Sequence, residues 1–196
     1  MVSMRVISGQ FKGLQLPAAK TGTRPTTDRT KEAIFSHLDS WGVIGDARVL
    51  DLYAGTGALG IEALSRGARE LVAVESAGPA AALLGKTFAA LKSSRAWRPD
   101  MGARVLRTKA ESFAAGFAGE GFDLIFIDPP YAVETSACND LLTSIVTQGV
   151  AAPNAIIMFE RSTRSEPLTA PEGWEITQSR DYGETAVVYI ERAEQA

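Results

Sequence analysis

Apolar positions along this chain follow two different periods. From residue 47 onward, short runs that are apolar at nearly every position alternate with longer stretches in which apolar residues recur every three or four. The runs predict strands over 48–52, 70–75, 103–107, 122–127 and 154–160. The stretches predict helices over 58–66, 79–92, 111–117 and 136–147. Strands that are apolar on both sides and separated by helices build a parallel sheet covered on both faces. Pro79 falls where a first helical turn tolerates its missing N–H, and the alanines after it form a helix face. Two more strands, over 174–180 and 185–191, meet near Tyr182-Gly183 and predict a closing hairpin.

The first 40 residues read differently. Met4–Ser8 and Leu14–Leu16 predict a hairpin turned at Gln10-Phe11-Lys12. The proline-punctuated stretch 17–26 is a linker. A helix over 29–40, capped by Thr27 or Asp28, would turn Ile34, Leu38 and Trp41 toward a core.

Composition narrows the class. With 196 residues, 45% of them apolar, the chain can bury one full core with a small appendage. Mean hydropathy is +0.01, no apolar run reaches the ~18 residues of a membrane span, and the N-terminus lacks a signal pattern. The expectation is a soluble cytoplasmic protein, monomeric, with no membrane contact. The one cysteine, Cys138, has no partner for an internal disulfide, which suits a reducing compartment. The one histidine, His37, sits inside a predicted helix and reads as structural, so no metal site is expected. A net charge of −3 excludes a protein that coats nucleic acid by bulk charge. The distribution matters more. Residues 1–31 carry six cations against Asp28 alone, a local +5 that leaves −8 on the rest. A basic front on an acidic body steers a phosphate backbone to one face. Arg5, Lys12, Arg24 and Arg29 are the candidate RNA contacts; a solvated arm is the bland alternative.

Two motifs carry chemistry. The apolar run 122–127 ends in Asp128-Pro129-Pro130-Tyr131. Two prolines remove two backbone donors and stiffen the exit from the strand. The Asp128 carboxylate and the Pro129 carbonyl can then accept N–H bonds, and Tyr131 offers an aromatic face. Such a socket suits a planar base with an exocyclic amine; taken alone, a Pro-Pro pair is an ordinary turn. Upstream, a strand ending Asp51-Leu52-Tyr53 runs into Gly55-Thr56-Gly57-Ala58-Leu59-Gly60 and a helix, and the next strand ends at Glu75. This glycine corner fits either a dinucleotide or S-adenosylmethionine. Asp51 decides between them, because a carboxylate beside the turn repels a pyrophosphate and attracts an ammonium and a sulfonium. Taken alone, the bland alternative for Asp51 is a strand-end cap of the following helix.

The order Asp-x-Tyr-Ala-Gly-Thr-Gly, Glu75, Asp-Pro-Pro-Tyr, preceded by Arg24-Pro25-Thr26-Thr27-Asp28-Arg29-Thr30-Lys31-Glu32, resembles the RsmD-type 16S ribosomal RNA guanine-N2 methyltransferases over nearly the full length. Gly60-Ile61-Glu62-Ala63-Leu64-Ser65-Arg66-Gly67-Ala68 is similar as well. The resemblance implies an α/β, Rossmann-like class I methyltransferase. It would have a seven-stranded, mostly parallel sheet with helices on both faces, its last strand inserted antiparallel, and a small N-terminal β-hairpin. It divides the chain into an RNA-contacting arm, 1–27, and a methyltransferase domain, 28–196. It implies S-adenosylmethionine as cofactor, held by Asp51, Tyr53, Gly55, Gly57, Glu75, Ala110, Glu111 and Thr27, with Asp128, Pro129, Pro130 and Tyr131 as the catalytic group. Lys109 departs from the family, which commonly has Asp or Asn before the alanine. The implied substrate is 16S rRNA, in the small ribosomal subunit or its assembly intermediate, with N2 of guanine 966 the expected target. Rival readings are an amino-methyltransferase acting on adenine N6 of DNA or on a protein glutamine, and a non-catalytic RNA-binding module.

Overall fold

The computed structural model describes residues 4–18 and 27–194. A two-stranded hairpin, β1 (Met4–Arg5) and β2 (Gln15–Leu16), precedes α1 (Asp28–Trp41). Then come β3 (Arg48–Leu52), α2 (Ala58–Ser65), β4 (Glu70–Val74), α3 (Gly78–Lys92), β5 (Gly102–Leu106) and α4 (Ala110–Ala115). The chain finishes with β6 (Phe122–Ile127), α5 (Thr135–Thr147), β7 (Ala151–Ser162), β8 (Trp174–Tyr182) and β9 (Thr185–Arg192). The seven-stranded sheet has the order β5-β4-β3-β6-β7-β9-β8. β3 through β7 pair in parallel, and β9 lies antiparallel between β7 and β8. This is the expected architecture, antiparallel insertion included.

Alternation along each strand explains the two covered faces. Val49, Leu71, Ala73, Leu124 and Phe126 join the side chains of α1, α2 and α3 in one core. Leu50, Leu52, Val72, Val74, Ile125 and Ile127 join α4 and α5 in the other. Because neighbours in sequence are buried on opposite faces, these strands read as continuous apolar runs. Strand order reverses between β4-β3 and β6, so the crevice at the carboxyl ends of β3 and β6 is the switch point where open α/β sheets take ligands.

The hairpin is shorter than its apolar pattern suggests. The amides of Ile7 and Ser8 leave the hairpin and donate to the Glu62 carboxylate on α2, at 2.9 and 3.1 Å. Glu62 is fully buried and also meets Lys31 Nζ at 3.2 Å and Arg66 Nε at 2.9 Å, while Lys31 Nζ donates to the Arg5 carbonyl. Met4, Val6, Phe11 and Leu16 enter the same core as α1 and α2. Thr27 caps α1, its hydroxyl accepting the Thr30 amide at 3.1 Å. Ile34 and Leu38 are fully buried as expected, whereas Trp41 is half-buried and packs beside His37 and Tyr189. β7 outruns its predicted range at both ends, because Ala151 pairs with Phe122 of β6 and its last residues, through Ser162, pair with β9.

Candidate functional site

Four acidic side chains converge on one rim. β3 and β6 are paired in register through Leu52 and Ile127, and β6 and β7 through Ile127 and Phe159. Asp51, Asp128 and Glu160 therefore lie near the carboxyl ends of three adjacent strands, on the sheet face that packs α1 and α2. Glu75 follows β4 on the other side of β3.

Asp51 is 2% exposed, and its Oδ2 accepts the amide of Gly60 at 3.0 Å. Gly57, at the N-cap of α2, has no side chain, so the strand supplies the capping carboxylate from across the turn. The helix-cap reading of Asp51 is thus correct as far as it goes. Burial pushes its carboxyl up to about 8, against the pull of the Gly60 amide and with a push from Glu75.

The glycine turn is built for close approach. Gly57 has φ +78°, and a Cβ there would stand 2.6 Å from Leu84. Tyr53, just before the turn, is a non-glycine residue in the left-handed region, φ +60°. Such backbone outliers cluster where a site needs a fixed geometry. Its hydroxyl donates to Glu111 Oε1 at 2.9 Å, which holds the ring across the mouth of the crevice. Glu75 locks the turn from the other side, accepting the amides of Gly55 and Ala77, each at 2.8 Å.

Tyr53, Val74, Glu75, Ser76, Thr108, Lys109, Ala110 and Glu111 line a cleft of about 320 Å³. That volume lies in the range of small-molecule sites. Residues from three separate stretches of sequence thus meet in one cavity. Lys109 occupies the N-cap of α4 without a side-chain cap bond, since an ammonium has no acceptor to offer. A larger hollow, about 500 Å³, is lined by Arg69, Lys92, Trp97 and Arg104 among others. It opens at the amino ends of β4 and β5, away from the carboxylates.

Past β6, Asp128 is partly exposed, Pro129 is buried, and Pro130 and Tyr131 are exposed. Burial raises the Asp128 carboxyl well above the usual carboxylate range, and the charges of Glu160 and Asp51 raise it further. Tyr131 is 43% exposed, and its hydroxyl lies 3.3 Å from Thr185 Oγ1 on β9, which tethers the ring while leaving it open. Glu160, 3% exposed beside Asp128, escaped the sequence reading. Its signal was a charge at the end of the apolar run 154–160.

The candidate RNA contacts separate. Arg5 pairs with Asp28 at 3.5 Å near the start of α1, and Arg29 is in the same turn. Lys12 is exposed at the hairpin tip, where Gln10 bonds Ser65 at the end of α2 and the Met101 sulfur, so it belongs to the opposite end of the sheet. Lys31, counted in the basic front, is fully buried against Glu62 and faces no solvent. Arg24 and the linker over 19–26 lie outside the described residues.

Known proteins match this chain over its length. The family model "Conserved hypothetical protein 95" matches residues 4–191. Ribosomal RNA small subunit methyltransferase D of Escherichia coli K12 is 34% identical over 193 residues, 98% of this chain and 91% of that protein. A putative rRNA methyltransferase of Bacillus subtilis, YlbH, is 35% identical over 192 residues, 96% of this chain and 99% of that one. Among solved structures, a putative methyltransferase from Escherichia coli, yhhF, superposes with a TM-score of 0.83 at 33% identity, covering 99% of this chain and all of that one. A rim of carboxylates, a glycine turn and an Asp-Pro-Pro-Tyr exit lie on a sheet that is matched end to end, and the chain belongs to the Conserved hypothetical protein 95 family, the family of the small-subunit ribosomal RNA methyltransferases D.

Proposed function

We propose that this protein methylates the exocyclic N2 of a guanine in 16S rRNA, within the small ribosomal subunit or its assembly intermediate, guanine 966 being the expected base. The observation that carries the reading is the placement of Asp128-Pro129-Pro130-Tyr131 on the strand next to Asp51 and the glycine turn. A ribosomal substrate makes the cytoplasm the place of action.

The cleft fits S-adenosylmethionine. The Tyr53–Glu111 pair, Ala110 and Lys109 surround the space for an adenine, and Glu75 keeps lone pairs for ribose hydroxyls while holding Gly55. Asp51, with Oδ2 on the Gly60 amide, has Oδ1 to offer an ammonium. Thr27 is spent on capping α1, and its share in binding would pass through the position of that helix. Bound there, the cofactor supplies an electrophilic methyl group on a cationic sulfur.

The chain's own residues handle the nucleophile. A guanine amine is weakly nucleophilic because its lone pair is delocalised into the ring. The Asp128 carboxylate and the Pro129 carbonyl would accept its two N–H bonds, which turns the lone pair toward the methyl group and stabilises positive charge growing on nitrogen. Tyr131 would stack on the base and fix its plane. Fixing the partners supplies much of the acceleration. The proton shed by the amine has two carboxyls within reach, Asp128 and the adjacent Glu160.

Methylation of small subunits lacking the modification, with radiolabelled S-adenosylmethionine and mapping of the labelled nucleotide, tests the proposal. Label on N2 of one guanine supports it; label on an adenine, on protein, or on nothing refutes it. DNA-directed readings are disfavoured by chain economy, since fewer than two dozen residues separate Tyr131 from β7 and no domain able to read a groove is inserted there.

A further inference from the structure

We propose that Arg161 and the first turn of α5 form a phosphate-binding pocket beneath the Pro-Pro-Tyr turn, filled by a backbone phosphate of the RNA. The inference rests on the rRNA reading and adds to it the group that anchors the strand beside the target base.

Phe159 belongs to the core under α5, so Arg161, two residues on, faces α5 while Glu160 faces the other way. Arg161 is 5% exposed. Its Nη2 reaches Thr135 Oγ1, the first residue of α5, at a long 3.4 Å. Its Nε and Nη1 are buried with no hydrogen-bond partner, and no carboxylate pairs with it, among the described residues. A buried guanidinium left in that state is costly.

The neighbouring group makes the demand for a negative charge sharper. α5 runs 13 residues, Thr135–Thr147, and its N-cap, Glu134, makes no side-chain cap bond. Uncapped first-turn amides and the helix dipole present positive charge at that end. Two positive groups therefore face each other. Thr135 Oγ1 also bonds the Glu166 carbonyl at 3.3 Å, so both contacts at this hydroxyl are weak and easily exchanged. Ser136 and Ala137 are exposed, so the turn is open to solvent on one side.

Position selects the ligand. α5 begins four residues after Tyr131, whose open ring is the proposed platform for the base. A nucleotide stacked there carries its phosphodiester toward α5. Free phosphate has the same chemistry, but Glu134, exposed at the rim, repels a dianion more than a phosphodiester monoanion.

Steady-state methylation of small subunits by Arg161→Met, at several salt concentrations, is the test. The variant should raise KM about tenfold with kcat little changed, and the dependence of log KM on log salt should flatten by about one charge. Its S-adenosylmethionine affinity should stay at the wild-type value, which certifies the fold. Arg161→Lys should recover most of the salt dependence. An unchanged slope in a donor-binding Arg161→Met, or a fall in kcat alone, overturns the pocket. If inorganic phosphate raises the melting temperature of wild type but not of Arg161→Met while the RNA slope stays the same, the site binds free anion and the RNA assignment falls. Wild-type protein that labels no RNA would instead defeat the parent reading, before any variant is made.

Discussion

Asp51 caps α2 through the Gly60 amide, and the donor-binding purpose proposed for it pulls in the opposite direction. In the unfolded chain an aspartate holds its proton only below about 4, whereas buried Asp51 holds it up to about 8. Between those values the folded state binds more protons. Asp51 therefore favours folding fully below pH ~4, and that contribution is lost as pH rises through about 8. A bound cation reverses the preference, so donor affinity should climb with pH up to about 8 and binding should release a proton. Calorimetry in buffers of different ionisation enthalpy reads this directly. Asp51→Asn keeps an acceptor for the Gly60 amide but removes the charge. It should raise the stability of the donor-free protein at pH 8 by about 1–2 kcal/mol and weaken donor binding at least tenfold. A variant that is neither more stable nor weaker in binding would remove Asp51 from the donor site. At Asp128, truncation to Ala should lower turnover about 10²–10³-fold while donor binding survives; Asp128→Asn, which still accepts one bond, should lose less. Glu160→Gln removes a charge that raises the Asp128 carboxyl, so the rising limb of the pH–rate profile should move to lower pH. The candidate site residues that the sequence could propose are those marked by their local order. Asp128 is flanked by two prolines and a tyrosine, and Asp51 by a glycine turn. Glu160 and Arg161 carry no such punctuation, and the parts proposed for them arise from register with β6 and from the start of α5, which a sequence does not display.

Elements were legible where apolar periodicity was strong, and misjudged where a side chain from elsewhere captured the backbone. β3, β4, β6 and the helices between them follow from the pattern to within a residue or two. The N-terminal hairpin does not, because Glu62, seen in sequence only as a polar position of a helix, draws the Ile7 and Ser8 amides out of strand pairing. The hairpin is consequently bolted to α2. Gly9, φ +84°, lies so close that a Cβ would stand 1.9 Å from the Ser65 carbonyl oxygen. Gly9→Ala should cost about 3 kcal/mol or more, through the combined strain of a left-handed alanine and a backbone clash. Glu62→Gln leaves Lys31 buried with half its compensation and should cost a similar ~3–5 kcal/mol. Chemical denaturation of both variants checks the docking. If either unfolds like wild type, the hairpin is a loosely attached arm.

At the scale of the whole molecule, the charge asymmetry survives with fewer participants. Of the six cations in residues 1–31, Lys31 is spent on Glu62 and Arg5 is shared with Asp28. Arg29 sits in the first turn of α1, and α1 packs on the sheet face to which Asp51 and Asp128 belong. Lys12 is carried to the far end by the hairpin. Deleting the hairpin would not isolate an RNA contact, because it would expose Met4, Val6, Phe11 and Leu16 from the shared core. Charge reversal at the surface is the cleaner probe. Arg29→Glu should raise KM for small subunits about five- to tenfold at low ionic strength, with the difference shrinking toward physiological salt as screening grows. Lys12→Glu should have a smaller effect, because it bears only on RNA that extends down the length of the protein. Donor affinity should be the same in both. The ranking is what matters: an RNA held at the carboxyl rim must feel Arg29 more than Lys12. If the two reversals were equal, or Lys12 the stronger, the substrate would approach along the hairpin and the amino ends of the strands, and the basic front would be an alignment track for the particle rather than a clamp beside the reacting base.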